Sequence, residues 1–372
     1  MGINSKRMVE QFVNLVSMDS LSYQEKTVAD YLKKELLTLG FQVTEDNAGA
    51  YYGGNANNLY GFLKGTIEGE PLLFSAHMDT VAPGLNKKAI LHEDGRITSD
   101  GSTILGADDF SGVVAILEAI RTIREEKLPH RDIEIIFFIA EEVYLKGSEI
   151  YDYSVVKAKE AYVLDLSGKI GDAALQAPTL ISFAAQFTGK ASHAGFAPEK
   201  GVHAIAMAGH SIAKLQLGHV DDDTTVNVGL IEGGLATNIV PESCILRGEV
   251  RSFDHDKAIN IMKQIEGIYQ ETATQFGGSV EVTTTFGSIA YSVPATHPVV
   301  TRFNLAAESL GFKTRLTKTF GGSDNNNFML HNITGIVLAC GMHQVHSCEE
   351  YTTVEDLTGI ASIVQQLMTS EV

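Results

Sequence analysis

The chain has 372 residues, 44% of them apolar and 20% charged, with a formal net charge of −18. That length favours two domains over one core, and the composition is that of a globular protein. The acidity, with no basic patch, excludes nucleic acid and anionic membrane as partners, and no apolar run is long enough to span a bilayer. The first residues lack a signal-peptide pattern, and Lys6 stands where a myristoylation motif needs Ser or Thr. Three unevenly placed cysteines, Cys244, Cys340 and Cys348, point to a reducing compartment, so a cytoplasmic location is expected.

Taken in chain order, Ser22 to Glu25 reads as a capping box that opens a helix. Val28, Tyr31, Leu32, Leu36 and Leu39 recur with helical spacing, and Gly40 closes that helix. "LLFSAH" ending at His77 is a short, wholly covered strand. "FSGVVAILEAIRTIREE" from Phe110 is a helix, and "IEIIFFIA" and "AYVLDL" are two more buried strands. Strands separated by helices predict an α/β layer with a mixed sheet. Near Leu175 the pattern changes. "ISFAAQFTG", a helix over about Ala204–Leu217, "TTVNVGLIEGG", "CILRGEVRSF", a helix over about Lys257–Phe276 and "SVEVTTTF" follow in the β-α-β-β-α-β order of a ferredoxin-like unit. After about Tyr291 the α/β pattern resumes, with a helix near Val299–Leu310, the strand "TGIVLAC" and a last helix from about Val354. The expectation is a discontinuous larger domain, residues 1–175 and 290–372, with a smaller one, 176–289, inserted in it.

Open α/β sheets place ligands beyond the carboxyl ends of their strands. Those ends carry His77 and Asp79, then Glu141 and Glu142, then Asp165, with His343 and His346 after the last strand. Asp108 and Asp109 sit in the turn before a helix. So many carboxylates in one crevice repel one another unless divalent cations lie among them. Mixed imidazole and carboxylate donors suit zinc, with cobalt or manganese as alternatives. His77 and Asp79, two apart on an extended chain, face the same way, so Asp79 is placed to orient the His77 ring. Glu141 and Glu142 diverge, so one can bind metal while the other acts as a general base.

In this order, "HMDTV", "GADDFSG", "EE", "YVLD", "SHAG", "GGLATNIVP" and "HSCEE" resemble the M20 family of dinuclear zinc peptidases and deacylases. Within it, the "GADD" form and the layout are similar to the peptidase T-like branch, tripeptide aminopeptidases. The resemblance implies a mixed-sheet α/β catalytic domain of the zinc aminopeptidase, or phosphorylase/hydrolase-like, type, carrying an inserted ferredoxin-like α+β lid and dimerisation domain. It implies two divalent ions, zinc by preference, and a zinc-bridged water that hydrolyses a peptide or amide bond in small peptides. His77 and Asp165 would bind one ion, Glu142 and His346 the other, and Asp108 both, through a cis Asp108–Asp109 peptide. Asp79 would orient His77, and Glu141 would be general base and then acid. His193 would reach a partner subunit's site to hold the oxyanion, Asn238 and Arg251 would contact substrate, and a homodimer through the lid is expected. His346 rather than His343 is chosen as ligand because Glu350 follows it by four positions, and Cys348 is read as a bystander. An N-acyl amino acid deacylase or dipeptidase is the alternative within the family. A non-catalytic metal-binding protein is the alternative outside it, and no nucleophile elbow supports a serine or thiol hydrolase.

Overall fold

The computed structural model describes residues 2–370, which divide into two compact units. The first comprises Met1–Gln176, Ser292–Thr319 and Ser323–Val372, and the second Ala177–Tyr291 with Phe320–Gly322.

The first unit is built on a nine-stranded mixed sheet. Its centre is four parallel strands in the order Ile133–Phe138, Leu72–His77, Glu160–Leu166 and Thr334–Ala339. Every residue of Leu72–His77 and of Ile133–Phe138 is buried, which is why these segments read as mainly apolar runs, with Glu134 the charged exception. Leu59–Leu63 joins antiparallel on one side and Asp172–Ala177 on the other. The helix Ala107–Glu126 packs on Leu72–His77 and Glu160–Leu166, and against the helices Ser5–Val16 and Val354–Thr369. Val113, Val114, Ile116, Leu117 and Ile120 of this helix are fully buried, each contributing about 1.5–3 kcal/mol relative to exposure. Parallel pairing sets the carboxyl ends of the central strands side by side, and the chain leaves the sheet there through irregular segments rather than tight turns.

One local expectation is overturned. Ser22 to Glu25 form no capping box: the helix is Lys26–Thr38, and Glu25 stands at its N-cap without a side-chain cap bond. The Ser22 hydroxyl instead donates to Asp79 Oδ2 at 2.7 Å, and Glu25 Oε1 accepts from the Tyr23 and Ala140 amides. At the other end Gly40, at φ 88°, follows the helix as expected.

The second unit has the β-α-β-β-α-β order, with sheet neighbours Thr224–Gly233, Ser243–Ser252, Thr179–Thr188 and Ser279–Ser288 and the helices Ala204–Ala213 and His255–Phe276. All these pairs are antiparallel. Its core runs through Phe183, Phe187, Met207, Leu246, Val250, Met262 and Tyr269. Two features escape the sequence pattern. The helix expected to reach Leu217 ends at Ala213, and Gly218–Asp221 makes an extra edge strand. Phe320–Gly322 joins this unit because the Arg251 guanidinium donates to the Phe320 carbonyl, and the Phe320 ring packs edge-on against Phe253 and His219. No helix of the described residues is long and apolar enough to cross a membrane.

Candidate dinuclear metal site

His77 ends its strand opposite Phe138 of the neighbouring strand. Three and four residues beyond Phe138 come Glu141 and Glu142, while Asp165 lies near the end of Glu160–Leu166 on the other side. The helix Ala107–Glu126 is non-helical at Asp108 and Asp109, whose peptide is cis, and this break turns the Asp108 carboxylate toward the strand ends. His346, at φ 62° in the segment after Thr334–Ala339, closes the ring.

These side chains meet. Asp108 spans two imidazoles, with Oδ1 3.0 Å from His77 Nε2 and Oδ2 3.2 Å from His346 Nε2. His346 Nε2 is also 2.9 Å from Glu142 Oε1. Glu141 Oε2 and Asp165 Oδ1 each lie 4.0 Å from His77 Nε2. The potential ligand atoms form two overlapping groups, His77 with Glu141 and Asp165, and His77 with Asp108 and Glu142. By position alone Glu141 therefore faces the same space as Asp165, Asp108 and Glu142.

The electrostatics fit cations. Burial pushes the Asp165, Glu141 and Glu142 carboxyls up, and neighbouring carboxylates push them further: Asp108 acts on Asp165 and Glu142, and Asp165 on Glu141. Burial acts the same way on Asp108, but hydrogen bonds from His346 and His77 outweigh it and hold this carboxyl well below the usual range. Burial alone would lower His77, yet Asp108 and Asp79 raise it, and Asp108 and Glu142 raise His346 to about 10. Carboxyls pushed up by one another's charge are relieved by cations among them, and these donors, imidazole nitrogen with carboxylate oxygen and no thiolate, suit zinc, cobalt or manganese.

The surroundings fix the donors. His77 Nδ1 lies 3.0 Å from the Asp79 carbonyl oxygen and 3.4 Å from Asp79 Oδ1, leaving Nε2 for the cluster. Asp79 also accepts from the Glu141 amide at 2.9 Å and the Glu142 amide at 3.2 Å. Asp109 Oδ2 accepts from the His77 amide. Glu350 accepts from the amides of Leu105, Gly106 and Asp108 at 2.7, 2.8 and 3.0 Å, so its spacing from His346 serves the Asp108 loop. His343 is turned to Asp356, 3.0 Å away, and stacks on Tyr351. Cys348 contributes its carbonyl oxygen to Ser99. Sequence reasoning missed Glu25, Ser22 and Asp324. Asp324 is a buried carboxyl that accepts from the Ser148 hydroxyl and is pushed up to about 7 by burial. No motif marks it, since only the fold brings it near Ser148.

His193, Asn238 and Arg251 belong to the second unit. His193 and Asn238 stand together, because Ser192–His193 pairs with Ile239–Val240 and the Ala194 amide donates to the Asn238 carbonyl. His193 Nδ1 accepts from the Gly195 and Phe196 amides, each at 3.1 Å, which puts the ring proton on Nε2. The Arg251 fork is engaged, with Nε and Nη2 on the two oxygens of Glu249 and Nη1 on the Phe320 carbonyl.

Imidazoles and carboxylates bracketing a shared aspartate, with a further glutamate 4.0 Å from His77, belong to a metal-dependent hydrolase of amide bonds, a metallopeptidase. Comparisons with known proteins agree. The peptidase dimerisation domain of M20 proteins matches residues 177–276, and peptidase family M28 matches residues 58–224. The Bacillus subtilis protein YqjE is 37% identical over 362 residues, 97% of each chain. A Staphylococcus aureus tripeptidase structure superposes with a TM-score of 0.96 at 35% identity, covering 99% of both chains. The aminopeptidase PepT of Bacillus cereus gives a TM-score of 0.91 at 38% identity, covering 99% of this chain and 98% of its own. The chain belongs to the M20 metallopeptidases, in their peptidase T-like group.

Proposed function

We propose that the protein removes the N-terminal residue of short peptides, tripeptides above all, with two zinc ions at the strand ends. His77 and Asp165 would hold one ion, Glu142 and His346 the other, and Asp108 would serve both. When bound, the ions supply Lewis acidity toward the scissile carbonyl and lower the pKa of the attacking water. Glu141 would take the proton of the attacking water and return it to the leaving amine. His193, with its proton on Nε2, donates to the oxyanion of a partner subunit's substrate. Asn238 and the N–H groups of Arg251 left over from Glu249 and Phe320 contact the substrate's carboxyl end. The observation that carries this reading is the Asp108 carboxylate, with one oxygen on each of two imidazoles at 3.0 and 3.2 Å.

A homodimer is supported by the second unit. Gly218–Asp221 covers the edge strand only as far as Val226, so Asn227–Gly233 has no outer strand partner among the described residues. Leu230 and Ile231 on that edge are half exposed, and Leu235 just beyond is 88% exposed. A second copy pairing there would cover them. The free cysteines support a reducing, cytoplasmic setting.

The test is a panel of tripeptides, their N-acetylated forms, dipeptides and N-acyl amino acids, incubated with zinc-loaded protein and read by mass spectrometry. Release of the first residue from tripeptides, blocked by acetylation, is expected. Cleavage confined to N-acyl amino acids or dipeptides would assign the protein to the family's other activities. Chelation followed by zinc, cobalt or manganese identifies the ion that restores turnover.

A further inference from the structure

We propose that Glu25 is a positioning residue for the Glu141–Glu142 pair, acting through the backbone of Ala140. The inference rests on the reading of Glu141 as proton carrier and Glu142 as ligand, and adds what sets their positions.

After Phe138 the chain leaves the sheet, and four successive amides turn to side-chain oxygens. Ile139 donates to Asn58 Oδ1 at 3.0 Å, Ala140 to Glu25 Oε1 at 3.0 Å, Glu141 to Asp79 Oδ1 at 2.9 Å and Glu142 to Asp79 Oδ2 at 3.2 Å. Their carbonyls are held from the other side, Ile139 by the Gly147 amide, Ala140 by the Lys146 amide and Glu141 by the Leu145 amide, so the side-chain acceptors fix the amide side of this path. Ala140 is the critical step, at φ 51°, a left-handed conformation that a residue with a Cβ adopts only when its surroundings impose it. A peptide rotated at Ala140 would redirect both glutamate side chains.

Helix capping and ion pairing are absent for Glu25 among the described residues: it makes no cap bond to the helix it precedes, and it pairs with no cation. It is wholly buried, and Oε1 alone is bonded, taking the Tyr23 amide at 2.7 Å together with that of Ala140. Oε2 is buried without a partner among the described residues. Burial and the nearby Asp79 charge push the carboxyl up to about 7, as expected of an acid kept for one oxygen's acceptor role rather than for its charge. Tyr23 shares the arrangement at φ 70°, so Glu25 ties two left-handed residues, one on each side of Asp79, to a single oxygen.

The experiment compares E25Q, E25D and E25A in the full metal-loaded chain, reading kcat and KM on a tripeptide and the visible spectrum of the cobalt-substituted protein. E25Q keeps an acceptor at the Oε1 position, E25D withdraws it by one methylene, and E25A removes it. E25A and E25D are expected to lose about 10- to 100-fold in kcat with KM nearly unchanged and an altered cobalt spectrum, while E25Q stays within about threefold of wild type. Folded E25A or E25D with wild-type kcat and cobalt spectrum overturns the inference, as does E25Q damaged as much as E25A. If E25A does not fold, the E25D and E25Q pair decides alone. E141Q is run alongside: turnover in E141Q refutes the proton-carrier reading, whereas an inactive E141Q beside wild-type E25D refutes only the role of Glu25.

Discussion

Replacing Glu141 with Gln keeps the side chain's shape, leaves the backbone amide bonded to Asp79, and removes one charge and one proton acceptor. Loss of a positioned general base costs about 10²- to 10⁴-fold in rate. At 1.36 kcal/mol per decade this is about 3–5 kcal/mol of barrier. The charge has a second effect. At the 4.0 Å that separates Glu141 from His77 Nε2, two unit charges interact by about 4 kcal/mol at an effective dielectric constant of 20. A cation among these donors therefore loses attraction of that order, offset in part by relief of repulsion from Asp165 and Glu142. Metal affinity falls, but His77, Asp108, Glu142, Asp165 and His346 remain.

The assay measures tripeptide turnover by E141Q over a zinc titration, with bound metal counted at each point. The expected result is two ions bound at high zinc and a kcat that stays depressed by at least about 100-fold. Two results would refute the reasoning. Turnover near wild type with both ions bound removes the general-base role. Activity restored by excess zinc makes Glu141 a ligand, the reading its grouping with His77 and Asp165 also permits.

Mixing inactive H193A and E141Q dimers lets subunits exchange, and each mixed dimer regains one site with both residues intact; about a quarter of wild-type activity is expected, and no gain after exchange places His193 in its own subunit's site or outside catalysis. In G112A the new Cβ would lie 2.5 Å from Asp109 Oδ1 and 2.6 Å from the Leu164 carbonyl, so about 1–3 kcal/mol of stability and a part of the zinc affinity should be lost; an unchanged melting temperature contradicts the packing. Glu25 is raised from 4.5 to about 7 in the fold, so the folded state binds this proton more tightly than the unfolded chain does. Its contribution is fully present below pH 4.5 and is lost as pH rises through about 7, a fall of about 3 kcal/mol. E25Q lacks that slope, so in denaturant melts of metal-free protein its stability relative to wild type should improve by about that amount between pH 4.5 and 8; a pH-independent difference contradicts the buried acid.

The convergence of His77, Glu141, Glu142, Asp165 and His346 was legible because the strands before them are largely buried, so mainly apolar runs mark where each ends, and Asp108 was legible from the Asp-Asp pair that opens a helix. The ferredoxin-like order was legible for a related reason: one wet face gives alternation. Ser22 to Glu25 show what local pattern misses. A serine and a glutamate three apart before a helix suit a capping box and equally suit two side chains reaching acceptors and donors elsewhere, and only the position of Asp79 and Ala140 separates the cases. His343 stood as near to the site in sequence as His346, and Asp356, thirteen residues on, holds it away. The Gly218–Asp221 strand was hidden because a short edge strand carries little apolar signal.

Acidic crowding at the strand ends has two causes, of which the sequence suggests only one. Asp108, Glu142 and Asp165 offer oxygens to the crevice. Asp79, Asp109, Glu350 and Glu25 offer theirs to backbone amides of the segments that carry the ligands: Glu141 and Glu142, His77, Asp108 and Ala140 respectively. Irregular segments leave amides without a helix or strand partner, and a buried amide needs an acceptor. A carboxyl oxygen is a strong acceptor for such an amide. Burial pushes the Glu25, Asp109 and Glu350 carboxyls up, so these three serve the chain's irregular segments as acceptors more than as charges. Losing one of these acceptors should disturb ligand geometry and metal affinity together, whereas losing a ligand should disturb affinity without loosening the segment that bears it.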